Sequence, residues 1–273
     1  MYLSHWNLSH SPFHPAAGLG PAYPSEAFEE ATARIDYLVQ ERRRVGALLG
    51  EAGLGKSTVV QGVGPMLARR GAKVATVDAV GLSPTELLWQ VTSQLGAQPD
   101  RADDAPRLWR RLEDQLTHNR WQNAETVLLV DDADQAGADL QRQLIRLAGL
   151  ESAPGARWTI ILASDPQRLG GLSTSLLHRI DLRVDLFEWT LSDTTGYVQH
   201  ALIDAGSHRP IFTDEALLRL QEKSTGIPRY VVRLADFALV VGASAGLDHV
   251  GPQEIDAAFS ELRWSPPAAT HLV

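Results

Sequence analysis

The residues whose types and spacing are most specific to a chemistry are Gly50-Glu51-Ala52-Gly53-Leu54-Gly55-Lys56-Ser57. They satisfy the pattern G-x-x-x-x-G-K-[ST], which needs a strand before it and a helix after it. Glycine reaches backbone angles that side chains forbid, so successive N–H groups can turn inward around phosphate oxygens. The partial positive charge of a helix N-terminus adds to that field. Lys56 would neutralise the β and γ phosphates, and the Ser57 hydroxyl can ligate Mg²⁺. Gly50 to Ser57, with Thr58 next in line, are therefore the candidate nucleotide-binding residues. The second chemical signal is Val127-Leu128-Leu129-Val130-Asp131-Asp132, an apolar run ending in two carboxylates. On a buried strand whose C-terminal end meets the phosphate loop, Asp131 would hold Mg²⁺, directly or through water. Asp132 would orient or deprotonate the attacking water. A strand ending in acidic turn residues is common by itself; its place about seventy residues after the loop gives it meaning.

These groups need a scaffold, and the hydrophobic pattern supplies one. Strands are expected at Val45–Leu49, Lys73–Val80, Thr126–Val130, Trp158–Ala163 and Ile180–Phe187. Between them lie helical patterns at about 25–43, 56–70, after Ser83-Pro84-Thr85-Glu86, at about 104–120, and around Leu140, Leu144 and Leu147. The Ser83 segment has a capping serine, a proline in the first turn and a glutamate at the third position. Strands alternating with helices imply a parallel sheet of about five strands covered on both faces. After Trp189 the strand signal stops, and helices are expected at about 192–205, 214–224, 228–242 and 252–263. The expected organisation is an irregular N-terminal arm (1–24) packed on the body, an α/β domain (25–190), a small all-helical part (191–263) and a tail (264–273).

Composition bounds the rest. No apolar run approaches the ~20 residues that span a bilayer, and the opening Met1-Tyr2-Leu3-Ser4-His5-Trp6 lacks the charge pattern of a signal peptide. The sequence contains no cysteine, which rules out disulfides, thiolate metal sites and cysteine nucleophiles and fits a cytoplasmic location. The formal net charge of −8 weighs against binding DNA through a general field. Arg42-Arg43-Arg44 and Arg110-Arg111 are local basic clusters, read either as contacts to an acidic partner or as solvated helix faces. His5, His10 and His14 are irregularly spaced and have no carboxylate or cysteine beside them, so no metal-binding arm is expected.

Beyond the two motifs, several segments resemble the ExeA/GspA-type AAA+ ATPases of bacterial secretion systems. Met1-Tyr2, Trp6, Leu8 and Pro12-Phe13 resemble the start of that family, and Tyr23 and Ser25 continue the match. Leu162 to Pro166 with Leu169 resembles its fourth strand, and Leu177-His178-Arg179-Ile180 its Q-R-I region. Phe212, Ala216 and Gly226-Ile227-Pro228-Arg229 resemble a helical lid ending in the sensor-2 motif G-x-P-R. The resemblance covers roughly residues 1 to 262. It implies an α/β fold of the P-loop NTPase AAA+ type followed by an all-helical lid. It also implies ATP and Mg²⁺ as ligands, lid closure on ATP, and a homo-oligomer formed with ATP.

Carried over by position, Phe13 would contact adenine or simply pack. Ser164, or Asp165, would be sensor 1 beside the γ-phosphate, or a loop cap. Arg179 would be an arginine finger for a neighbouring subunit, or a surface ion pair. Arg229 would be sensor 2, or a surface arginine at a helix start. The family usually has Asp-Glu where this chain has Asp131-Asp132; the shorter side chain would set the carboxylate farther from the water and slow turnover. Asp134 replaces a residue that is usually uncharged, without an evident reason in the sequence. Better known secretion members continue into a membrane span and a peptidoglycan-binding region. This chain stops after the lid, so no cell-wall role is expected. The functions that follow are an ATPase serving a secretion or pilus-like assembly, a DNA-binding regulator like the TniB or TnsC transposition ATPases, or a weakly hydrolysing nucleotide switch.

Overall fold

The computed structural model describes residues 2–13, 23–150 and 155–262. The chain divides into two compact units, Phe28–Leu186 and a second made of the segments Met1–Ala27 and Phe187–Val273.

The first unit is built on β1 (Val45–Leu49), β2 (Lys73–Asp78), β3 (Thr126–Asp131), β4 (Trp158–Ser164) and β5 (Leu182–Asp185). They form one sheet in the order β2-β3-β4-β1-β5, and every neighbouring pair is parallel. β1 and β4 are buried at every residue, which is why their sequences are mainly apolar rather than alternating. β2, at one edge, alternates in burial. Parallel pairing puts all strand C-termini on one side. Leu49 pairs with Ser164 and Asp78 with Asp131, so the phosphate loop, the two carboxylates and Ser164 share one sheet edge.

The helices of this unit are α2 (Glu26–Gln40), which starts at the unit boundary, α3 (Lys56–Arg69), α4 (Pro84–Gln94), α5 (Ala105–Trp121), α6 (Ala138–Ala148) and the single turn α7 (Thr174–Leu177). The sequence signals for their ends have physical counterparts. Ser83 and Glu86 close a capping box, with Ser83 Oγ accepting the Glu86 N–H and Glu86 accepting the Ser83 N–H. Asp104 caps α5 through the Arg107 N–H. The apolar stripes of α4, α5 and α6 meet the sheet in one core that includes Leu87, Leu112, Leu128, Leu144 and Ile160. β2 stops at Asp78, two residues early, because the Asp78 carboxylate accepts the Val80 N–H and turns the chain. β5 begins at Leu182, after Asp181 accepts the N–H groups of Arg44 and Val45.

The second unit contains α8 (Leu191–Asp204), α9 (Asp214–Ser224), α10 (Pro228–Ser244) and α11 (Pro252–Glu261). It also contains the N-terminal segment, in which Tyr2–Trp6 forms a helix, α1. Five residues are too few to show a helical period, so this element is invisible to pattern reading. Its anchor is chemical. The Trp6 indole N–H donates to the Leu239 carbonyl at 2.8 Å from a fully buried ring. The Tyr2 hydroxyl donates to Ser11 and Asp236, and the Ser9 hydroxyl to the Ala205 carbonyl. No helix among the described residues is long and apolar enough to cross a membrane.

Candidate nucleotide-binding and hydrolysis site

β1 delivers the chain to the phosphate loop, and α3 carries it away. Gly53 and Gly55 have φ of 97° and 99°, the left-handed region where a side chain is strained. Gly55 stands at the N-cap of α3 with no side-chain cap, and the first turn of α3 holds no acid. The N–H groups at that helix start are thus left to an external acceptor. Lys56 is buried, and its ammonium donates to the carbonyls of Gly50 at 2.6 Å and Glu51 at 3.3 Å. The ammonium is thus held within its own loop, where a bound phosphate would compete with those carbonyls for it. Ser57 and Thr58 are exposed on the first turn.

β3 ends in Asp131, and Asp132 follows with φ 48° and ψ 41°. That left-handed residue breaks the alternation of the strand and re-aims its side chain. It opens a 3₁₀ turn, Ala133–Gln135, and its N–H donates to the Asp131 carboxylate at 3.0 Å. Burial pushes the Asp132 carboxyl above the ordinary aspartate range. The negative charges of Asp131, Asp134 and Asp78 push the same way, against Lys56. A carboxylate made more basic by its surroundings is better suited to accept a proton from water. Asp131 and Ser57 offer the oxygen donors that a Mg²⁺ ion takes beside nucleotide phosphates.

Of the two candidates for the polar group at the end of β4, Ser164 and Asp165 behave differently. Asp165 caps the next turn by accepting the Gln167 N–H at 2.9 Å. Ser164 is 1% exposed, and its hydroxyl has no hydrogen-bond partner among the described residues. A buried hydroxyl without a partner costs stability, and this one stands in register with the last residue of β1, where the phosphate loop begins. Asp134 also has a place. Its carboxylate accepts the Asp165 N–H at 3.1 Å and faces Arg168 at 3.8 Å.

The remaining candidates lie in other segments of the chain. Arg179 lies two residues beyond α7, is exposed, and makes no ion pair among the described residues. Arg229 is the second residue of α10, also exposed, on a helix start with no side-chain cap. The turn before it is tight: Gly226 has φ 73°, and a Cβ there would collide with the Trp189 carbonyl. Phe13 is 2% exposed, with its ring against Tyr197 and Phe212 at centroid distances of 6.2 and 6.4 Å. Packing is the role the helical unit displays for it. His5 hydrogen-bonds the Leu247 carbonyl and His10 pairs with Asp204; His14 lies outside the described residues.

Sequence reasoning passed over two glutamines. Gln167 donates to the Glu51 carboxylate at 3.0 Å, tying the loop after β4 to the phosphate loop. Gln141 is buried on α6, at helical spacing with Leu144 and Ala148. A polar residue on an apolar stripe is the signal that could have flagged it.

The family model "AAA domain" matches residues 39–170. General secretion pathway protein A of Aeromonas hydrophila is 29% identical over 266 residues, 96% of this chain and 48% of that protein. The chain thus spans about half the length of that curated relative. Among solved structures, Cdc6p from Pyrobaculum aerophilum is similar with a TM-score of 0.69 at 16% identity, covering 94% of this chain and 72% of that one. The RuvB Holliday junction branch migration motor of Thermotoga maritima is similar with a TM-score of 0.58 at 15% identity, covering 86% and 68%. At such identities the solved structures speak for the fold alone. The chain has the AAA+ P-loop fold, matches the AAA domain model over residues 39–170, and resembles general secretion pathway protein A.

Proposed function

We propose that this protein binds ATP–Mg²⁺ at the phosphate loop and hydrolyses it with Asp132 as the base. Lys56, the loop N–H groups and the start of α3 hold the phosphates, while Ser57 and Asp131 hold Mg²⁺. Ser164 supplies a hydroxyl beside the γ-phosphate. Arg229 responds to ATP from the helical unit, acting as the lid, and Arg179 reaches the ATP of a neighbouring subunit. Nucleotide state then controls lid closure and homo-oligomer assembly. The observation that carries this reading is the grouping at one sheet edge of an uncapped helix start, an inward ammonium, a basic aspartate and an unpartnered buried hydroxyl. Phe13 keeps its packing role in this reading. Aspartate in place of glutamate sets a slow turnover.

The secretion relative supports a client within a secretion or pilus-like machinery. The DNA-binding alternative draws support from the fold shared with the Aeropyrum pernix ORC1 protein, solved in complex with DNA. It is disfavoured by the net charge of −8 and by the pairing of Arg42 with Glu125 and Arg111 with Asp103 inside the basic clusters. Light scattering during size-exclusion chromatography, with and without ATP–Mg²⁺, tests the assembly claim. A larger species that needs ATP, and whose turnover per subunit rises with protein concentration in the parent but not in Arg179→Ala, is expected. A monomer at all nucleotide states with concentration-independent turnover rejects it.

A further inference from the structure

Three segments near the site are separate in the sequence: the turn after β3 that carries Asp132, the loop after β4 that begins at Ser164, and α7, which leads to Arg179. Two buried side chains join them. Asp134 sits in the 3₁₀ turn with its side chain 2% exposed. It accepts the N–H of Asp165, the residue directly after Ser164, at 3.1 Å, and faces the Arg168 guanidinium at 3.8 Å. Gln141, 8% exposed on α6, reaches the other way. Its amide donates to the carbonyls of Ala136 at 2.9 Å and Gly171 at 2.8 Å, and its oxygen accepts the Ser173 N–H at 2.8 Å. Ala136 closes the Asp132 turn, and Ser173 is the residue from which α7 starts. Both amide hydrogens and the amide oxygen of Gln141 are thus committed to backbone. A buried amide so saturated admits one geometry of the segments it joins.

We infer that Asp134 and Gln141 are positioning residues that bind the Asp132 turn, the Ser164 loop and the α7 segment into one hydrogen-bonded body. A shift of Asp132 on nucleotide binding or hydrolysis then moves Ser164 and Arg179 with it. One subunit's nucleotide state thereby reaches its neighbour's ATP through α7. This deepens the reading proposed above and rests on its assignments of Asp132 and Arg179. It also explains the charged residue at position 134: its carboxylate is the acceptor for the loop that presents Ser164.

The test has two parts. Amide hydrogen exchange is measured on the parent, Gln141→Met, Asp134→Ala and Asp134→Asn. Gln141→Met keeps the volume and removes all three bonds, so exchange should quicken from Ser173 to Arg179 while β1, β3 and β4 stay protected. Asp134→Ala should expose the Asp165 amide, and Asp134→Asn, which keeps the acceptor oxygen, should leave it protected. Unchanged exchange at Asp165 and at 173–179 overturns the inference, whatever the enzyme's activity. Strand amides that lose protection identify a folding defect, and the Asp134 pair then decides. In the second part, Gln141→Met should lose turnover on the order of a hundredfold with ATP affinity unchanged. Mixing it with Asp132→Asn, whose finger is intact, should restore turnover to its sites. Arg179→Ala mixed with Asp132→Asn is the control. Restoration of Arg179→Ala but not of Gln141→Met places the Gln141 defect in its own site and overturns the inference. Restoration of neither, with exchange altered as expected, rejects the trans-acting finger of the proposed function and overturns the relay between subunits, while the hydrogen-bonded body within one subunit stands on the exchange result.

Discussion

The α/β unit leaves a few buried side-chain polar atoms unpaired, whereas the described residues of the helical unit leave none. Among the described residues, the buried side-chain polar atoms that lack a partner are the hydroxyls of Thr32, Ser164 and Ser173, all in the α/β unit. That unit also places a non-glycine residue, Asp132, in left-handed backbone and opens α3 without a side-chain cap. In the helical unit the polar groups are matched. Thr190 and Asp193 close a capping box on α8, Thr213 caps α9, and Glu254 accepts the Gly251 N–H at the start of α11. The Trp6 N–H is paired, and the Tyr197 phenol, pushed up to about 12 by burial and the Asp236 charge, packs as a neutral ring. The exception is α10, whose uncapped start carries Arg229. Unmet polarity in a folded protein is costly; where it adjoins the phosphate loop, at Ser164 and the start of α3, a ligand could complete the structure.

The largest effect should come from the α/β edge. Lys56→Ala removes the ammonium that meets the phosphates, and ATP affinity should fall about a hundredfold or more, measured with a fluorescent ATP analogue. The melting of the protein without nucleotide should barely change, because Lys56 bonds only to its own loop. Next is Trp6→Ala. Removing a fully buried indole should cost about 3–5 kcal/mol of the helical unit's stability, seen as a lower denaturation midpoint, with ATP affinity retained if the two units divide their work as described. Gly226→Ala should cost roughly 1–3 kcal/mol from backbone strain, plus the collision with the Trp189 carbonyl, seen as a lower melting point. A melting point equal to the parent's would contradict the tight turn.

The smallest effects are electrostatic. With Asp132 as the proposed base, its raised pKa predicts that hydrolysis falls, as pH drops, with an apparent pKa above the ordinary aspartate range. The same shift makes the native state bind the proton more tightly than the unfolded chain. Asp132 therefore takes away stability as pH rises from the ordinary aspartate value through its raised one. Asp256 in the helical unit has the opposite sign. Arg219 and Lys223 hold its carboxyl below the usual range, so its contribution is present above that range and lost as pH falls through the lowered value. Its side chain is 44% exposed, so the change should be a small shift in melting point that salt screens.

The sequence was most readable where backbone and side chains obey one period. β1, β3 and β4 are apolar runs, and α9 and the capping box at Ser83 follow from residue types alone. The phosphate loop was readable because its glycines and lysine answer to a single ligand geometry. What escaped notice depends on contacts between distant segments. α1 is fixed by the Trp6 bond to Leu239, more than two hundred residues away. Asp134 has meaning only once Asp165 is beside it, and Gln141 only once Gly171 and Ser173 are. No local pattern encodes a carboxylate waiting for a particular N–H thirty-one residues on.

Steady-state ATP hydrolysis by the parent and by Asp132→Asn, with ATP binding measured on both, tests the central claim most directly. ATP binding should be equal in the two proteins and turnover lower in the variant by about a hundredfold to ten-thousandfold. Equal turnover in the two proteins would contradict the assignment of Asp132 as the base and, with it, the placing of the chemistry at this sheet edge.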